Sequence, residues 1–173
     1  MNNPTKPRLT RDVWITTGLQ ALCDQGPDAL KAEVLARRLH TTKGSFYWHF
    51  RDVPDYHAAL LAQWQSTSEI TRGDGTAVMQ LRALAGQLAE RGSAEPAIRA
   101  WAKGNAQAAT SVLQVDAARL AQFEALLRDT GIANPEMARI LYAAALGMRE
   151  LDADNTAGPE AMGTLVDLVL ALR

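Results

Sequence analysis

From Leu39 to Asp52 the chain reads Leu-His-Thr-Thr-Lys-Gly-Ser-Phe-Tyr-Trp-His-Phe-Arg-Asp, the stretch whose side chains are best placed to do chemistry. On a helix beginning near Lys43, the residues Lys43, Tyr47 and Trp48 fall at i, i+4 and i+5 and form one cationic and aromatic surface. Phe46 and Phe50 lie four apart on another face and are free to pack inward. Thr42 supplies a hydroxyl cap, and Gly44 in the first turn permits close approach to another backbone. An exposed face of Ser, Thr, Lys and Tyr without a carboxylate offers donors to base edges and phosphates, which suits the major groove of DNA.

Other chemistries find no support in the residues. A single Cys23 and three histidines, His40, His49 and His57, do not assemble a zinc site of ordinary spacing, so no metal is expected. No Gly-rich phosphate loop, acid/base pair or Ser/His/Asp arrangement stands in the sequence, so neither an enzyme nor a cofactor is expected. Cys23, among apolar neighbours, is expected as a small buried hydrophobe.

The elements that must position these residues are all helical, since apolar side chains repeat at helical spacing and nowhere with a sustained period of two. The expected helices run from Arg11 behind the cap Thr10 to Gln25, from about Leu30 to Leu39, from Lys43 to Phe50, and from a cap at Asp52 to about Thr71. Five more follow, at about Thr76 to Arg91, Pro96 to Lys103, Ala106 to Asp129, Pro135 to Asp152 and Pro159 to Leu172. The second and third, joined by a tight turn, read as helix-turn-helix. The fold class is therefore all-α with about nine helices.

The stretch resembles the recognition helix of the TetR/AcrR family of regulators, whose pattern Ser/Thr-x-Gly-x-x-Tyr-x-His-Phe is matched by Thr42, Gly44, Tyr47, His49 and Phe50. Trp14, Gly18, Leu22 and Gly26 are similar to the family's first helix, and Val34, Ala36 and Leu39 to its second. The resemblance implies a helix-turn-helix DNA-binding domain over residues 1–56 and a helical ligand-binding and dimerisation domain over 57–173. It implies DNA contacts from Lys31, Arg37, Thr42, Lys43, Ser45, Tyr47 and His49. The chain departs from the family pattern at His40, where Gly is usual, and at Val53, where Lys is usual, with Arg51 as the expected substitute. Glu33 stands where small or basic residues usually meet the DNA backbone, and must turn away or pair with Arg37.

Charge is divided along the chain. The overall net charge is −1, but residues 1–51 carry eight basic and four acidic side chains, a net of +4, and the rest a net of −5. This is the pattern of a basic head for a double-stranded DNA operator on an acidic body. In the body, Trp64, Met79, Trp101 and Phe123 are the candidates to line a cavity for a small-molecule effector. The last two helices carry wide apolar stripes, and Ile140, Leu141, Ala144, Met148, Leu165, Leu168, Val169 and Leu172 are expected to form a homodimer interface. With no apolar leader after Met1 and no membrane-length apolar run, a cytoplasmic protein is expected. The expected function is a DNA-binding transcriptional regulator, a repressor released from a palindromic operator by a ligand. The rival is a ligand-binding or protein-interaction module with a head that does not bind DNA.

Overall fold

The computed structural model of the chain describes residues 9–70, 73–90, 94–151 and 157–171. Among them every regular element is helical, and the nine α-helices follow the expected order. They group into two compact units, one of residues 9–68 and 94–112, the other of 69–70, 73–90, 113–151 and 157–171. The first unit includes the fourth helix and the sixth, both packed against the first.

In the first unit, α1 (Arg11–Gln25) starts where the Thr10 hydroxyl accepts from the Val13 N–H at 3.4 Å. It stops at Gly26, whose φ of +76° a side chain would strain. Trp14, Ile15, Gly18, Ala21 and Leu22 form its buried stripe. Cys23 is exposed, a correction to the expected burial: it sits one residue, about 100° of helix, beyond Leu22 and so outside the stripe. The second helix also starts later than expected. Pro27–Leu30 make a 3-10 turn, Lys31 is extended, and α2 runs Ala32–Arg38.

Between α2 and α3 (Lys43–Tyr47) the chain reverses through His40, at φ +52° the only non-glycine with positive φ among the described residues. A histidine thus occupies the left-handed position that glycine would take without strain. The third helix is shorter than expected, with Trp48 as its C-cap, although Phe50 still bonds its N–H to the Phe46 carbonyl. α4 (Val53–Ser68) begins behind Asp52, which accepts the Asp55 N–H at 2.8 Å. α6 (Glu95–Ala102) packs against α1, and the start of α7 (Ala106–Asp129) completes the unit.

The core of this unit is aromatic. Phe46 sits 5.5 Å from Trp14 and 5.2 Å from both Phe50 and Tyr56, ring centre to ring centre. All four side chains are fully buried. Truncating such a ring to Ala costs about 3–5 kcal/mol, so the core rigidly fixes the orientation of α3.

In the second unit, α5 (Ala77–Ala89) packs between α8 (Pro135–Leu151) and α9 (Gly158–Ala171). Leu81, Leu84, Phe123, Leu141, Tyr142, Met162 and Val166 belong to its core, along with their apolar neighbours. Tyr142 donates its hydroxyl to Asp116 at 2.6 Å. No helix among the described residues is long and apolar enough to cross a membrane.

Candidate nucleic-acid interface

The two faces of α3 behave as their residue types demand. Phe46 faces the aromatic core, and Tyr47, 45% exposed, keeps an edge-on contact with it at 5.2 Å. Lys43 lies on the surface with its ammonium 5.9 Å from the Tyr47 ring centre, near the limit for a cation–π contact. Trp48 is 89% exposed. A Trp that withdraws so little apolar surface from water gains almost nothing from folding.

The remaining expected contacts surround this helix. Thr42 caps it by accepting the Ser45 N–H at 3.3 Å, and Ser45 is half-buried beside it. His49 is half-buried, 6.4 Å from the Trp14 ring, and its backbone carbonyl accepts from Arg11 at 2.9 Å. That same Arg11 guanidinium stacks 4.6 Å from the Phe50 ring centre. Arg11 and Trp48 are exposed surface residues of this face that were not among the expected contacts; the extreme exposure of Trp48 singles it out. Arg37 is exposed and has no carboxylate partner among the described residues.

The other cations are already paired. Lys31 binds Asp28 at 2.8 Å, Arg38 binds Asp24, Lys43 binds Glu33, and the Arg51 Nε lies 3.2 Å from Asp52. The Glu33 partner is therefore Lys43 of α3, not the expected Arg37 one turn along α2. Lysine bonding holds the Glu33 and Asp28 carboxyls below their ordinary range, as Arg38 does for Asp24. The Lys43 ammonium is raised by its bond to Glu33. Val53 is half-buried as the first residue of α4, and Arg51 extends into solvent beside it.

Within the second unit a cavity of about 200 Å³ is lined by Ile70, Met79, Gln80, Leu84, Gln122 and Leu126, with Asp74 and Gln87 at its wall. Gln80 gives its amide N–H to the Gly75 carbonyl at 3.0 Å, which fixes its amide orientation and leaves a buried Oε1 without a partner among the described residues. Gln122 likewise donates to the Ile70 carbonyl at 2.9 Å. Of the candidate cavity residues, Met79 lines this space, and Phe123 is wholly buried in the core of the same unit. Trp64 and Trp101 are buried in the first unit, where Trp101 meets His57 edge-on at 4.9 Å.

The candidate interface residues of α8 and α9 divide between two directions. Leu141 and Val169 are buried in the core; Ala144, Met148 and Leu165 are half-buried against it. Ile140 is 51% and Leu168 60% exposed. Leu172 lies outside the described residues.

Among the described residues no group of three or more His, Cys, Asp and Glu could hold a metal ion. Residues 15–52 match the family of bacterial regulatory proteins of the tetR type. No curated protein matches the chain. The fold is similar to that of a transcriptional regulator from Rhodococcus sp., with a TM-score of 0.74 over 95% of each chain at 18% identity. It is also similar to a TetR transcriptional regulator from Agrobacterium tumefaciens, at TM-score 0.69 and 22% identity, over 94% of this chain and 92% of that one. A third similar structure is BioQ with its natural double-stranded DNA operator, at TM-score 0.54 and 20% identity, over 96% of this chain and all of the other.

Proposed function

We propose that this chain is a TetR-family DNA-binding regulator that acts in the cytoplasm as a homodimeric repressor released from a palindromic operator by a small effector. The observation that carries the reading is α3 itself, whose Phe46 is locked into the core while Lys43, Tyr47 and Trp48 remain outside. That arrangement presents donors and flat apolar edges with a fixed orientation, as base readout requires. Each subunit would lay α3 in a major groove, with Arg37 and Lys31 on flanking phosphates and the two heads about 34 Å or more apart. The DNA-bound form of BioQ supports this use of the fold.

The exposed Ile140 and Leu168, with Ala144, Met148 and Leu165 beside them, form the proposed dimer surface, since two helices per subunit make a four-helix interface. The cavity on α5 is the proposed effector site. Ile70 of its lining lies two residues beyond the end of α4, so a ligand there acts on the segment that follows the head. The ligand lowers operator affinity only to the extent that it binds the DNA-free state more tightly.

A gel-shift titration tests the reading. Tyr47→Ala should weaken operator binding at least about tenfold, the worth of roughly 1.4 kcal/mol, while the dimer persists in gel filtration. Unchanged affinity would remove α3 from the mechanism. A second reading, a module whose head does not bind DNA, rests on the ion pairs that occupy Lys31, Arg38, Lys43 and Arg51. It predicts no retention of any duplex even at low salt.

A further inference from the structure

We infer that Glu33 is a specificity-determining residue that withholds Lys43 from ordinary phosphates and releases it only on the operator. The inference rests on the DNA-binding reading above and goes beyond it. Lys43 opens α3 at a helix N-terminus, where the backbone dipole disfavours a cation. Glu33, in the first turn of α2, places a carboxylate on that ammonium across the helix-turn-helix, and both side chains remain half exposed. The ammonium is thus held by Glu33 beside the Tyr47 ring before any DNA arrives.

The consequence is an exchange in place of a simple attraction. An unpaired lysine meeting a phosphate releases about 0.9 of a condensed counterion from B-DNA, and this is the basis of sequence-independent affinity. Lys43 must first give up Glu33, and the Glu33 carboxylate is then left facing a polyanion. On a random sequence the trade is poor, because a phosphate offers the ammonium little more than the carboxylate it leaves. On the operator a base-edge acceptor aligned with Lys43 and Tyr47 adds the missing attraction. Glu33 therefore lowers non-specific affinity more than operator affinity, and it does so through Lys43.

The experiment compares the wild-type protein, Glu33→Gln, Lys43→Gln and the double variant on a selected operator and on a random duplex, over a series of salt concentrations. Thermal unfolding of each variant confirms that the exposed pair is not needed for folding. Glu33→Gln should tighten random-duplex binding about three- to tenfold and steepen its salt slope by about one ion. Its operator affinity should rise less, so the specificity ratio falls. In the Lys43→Gln background the Glu33 substitution should change little. An equal gain in both backgrounds would show a through-space charge effect and overturn the role of Lys43. An unchanged specificity ratio would overturn the inference while the wild-type binding left the DNA-binding reading standing. Failure of the wild-type protein to bind any duplex at low salt would overturn both.

Discussion

The Tyr56 hydroxyl, on α4, donates to the Trp14 carbonyl, on α1, at 3.0 Å inside the head. The bond passes beside Gly18, where a Cβ would lie only 1.6 Å from the Tyr56 oxygen. Helix α1 can therefore approach α4 only with glycine at that position, and burial pushes the Tyr56 phenol well above its ordinary titration range. Tyr56→Phe should cost about 1–3 kcal/mol in chemical denaturation, because the buried Trp14 carbonyl loses its side-chain donor. Gly18→Ala should cost more, as it displaces the ring itself. A Gly18→Ala protein as stable as the wild type would show that the two helices are not in contact at this point.

His57 gives the same unit a dependence on pH. One ring nitrogen bonds to the Leu30 backbone, the other, Nε2, is buried without a partner among the described residues, and the ring abuts Trp101. Desolvation lowers its pKa from the ordinary 6.5 and outweighs the opposing Leu30 bond. Between the lowered folded value and the unfolded one, the unfolded chain binds more protons, so stability is complete above about pH 6.5 and declines as pH falls below it. Melting temperatures between pH 7.5 and 5 should show this decline in the wild type and less of it in His57→Gln, which keeps a donor but does not titrate. Parallel curves would rule out His57 as the source.

The cavity on α5 predicts the polarity of the proposed effector. Gln80 and Gln122 each place an amide N–H on a backbone carbonyl, Asp74 is a carboxylate, and no Lys or Arg is among the described residues that line the space. The buried Gln80 Oε1 is an acceptor with no hydrogen bond from the described residues, so a ligand that brings a donor to it gains one. Benzylamine and benzyl alcohol should raise the melting temperature where benzoate, of similar size, does not. Gln80→Leu should erase the difference, since a buried acceptor left unpaired costs about 1–3 kcal/mol. Preferential binding of benzoate would contradict the assignment.

Exposed Ile140 and Leu168 predict how the proposed dimer responds to charge. In a two-fold interface each substitution is made twice, so Leu168→Glu with Ile140→Glu introduces four charges into one apolar contact. Sedimentation should show a dimer for the wild type and a folded monomer for the variant. An unaltered sedimentation coefficient would place the interface elsewhere.

The helical class, the order of the nine helices and the aromatic side of α3 were legible because burial of a stripe demands a 3.6-residue period, and Trp14, Leu22, Phe46 and Phe50 keep it. The positive φ at His40 falls where the family resemblance puts a glycine in the turn. What stayed hidden depends on partners distant in sequence. The i, i+4 spacing suggested Arg37 for Glu33, but the turn between α2 and α3 brings Lys43 closer. Cys23 has apolar neighbours in sequence yet lies beyond the edge of the buried stripe. Leu141 and Ile140 are adjacent in one apolar run, and only the packing of α5 and α9 decides that the first is core and the second surface.

The most direct test of the central claim is selection of duplexes from a random-sequence library by the purified protein, followed by titration of the winner against increasing salt. The account predicts a palindrome with half-sites about one helical turn or more apart, bound with an affinity that falls linearly in log–log form as salt rises. It further predicts that Tyr47→Ala enriches no such site. Recovery of no consensus at low salt, or of the same palindrome by the Tyr47→Ala protein, would contradict it.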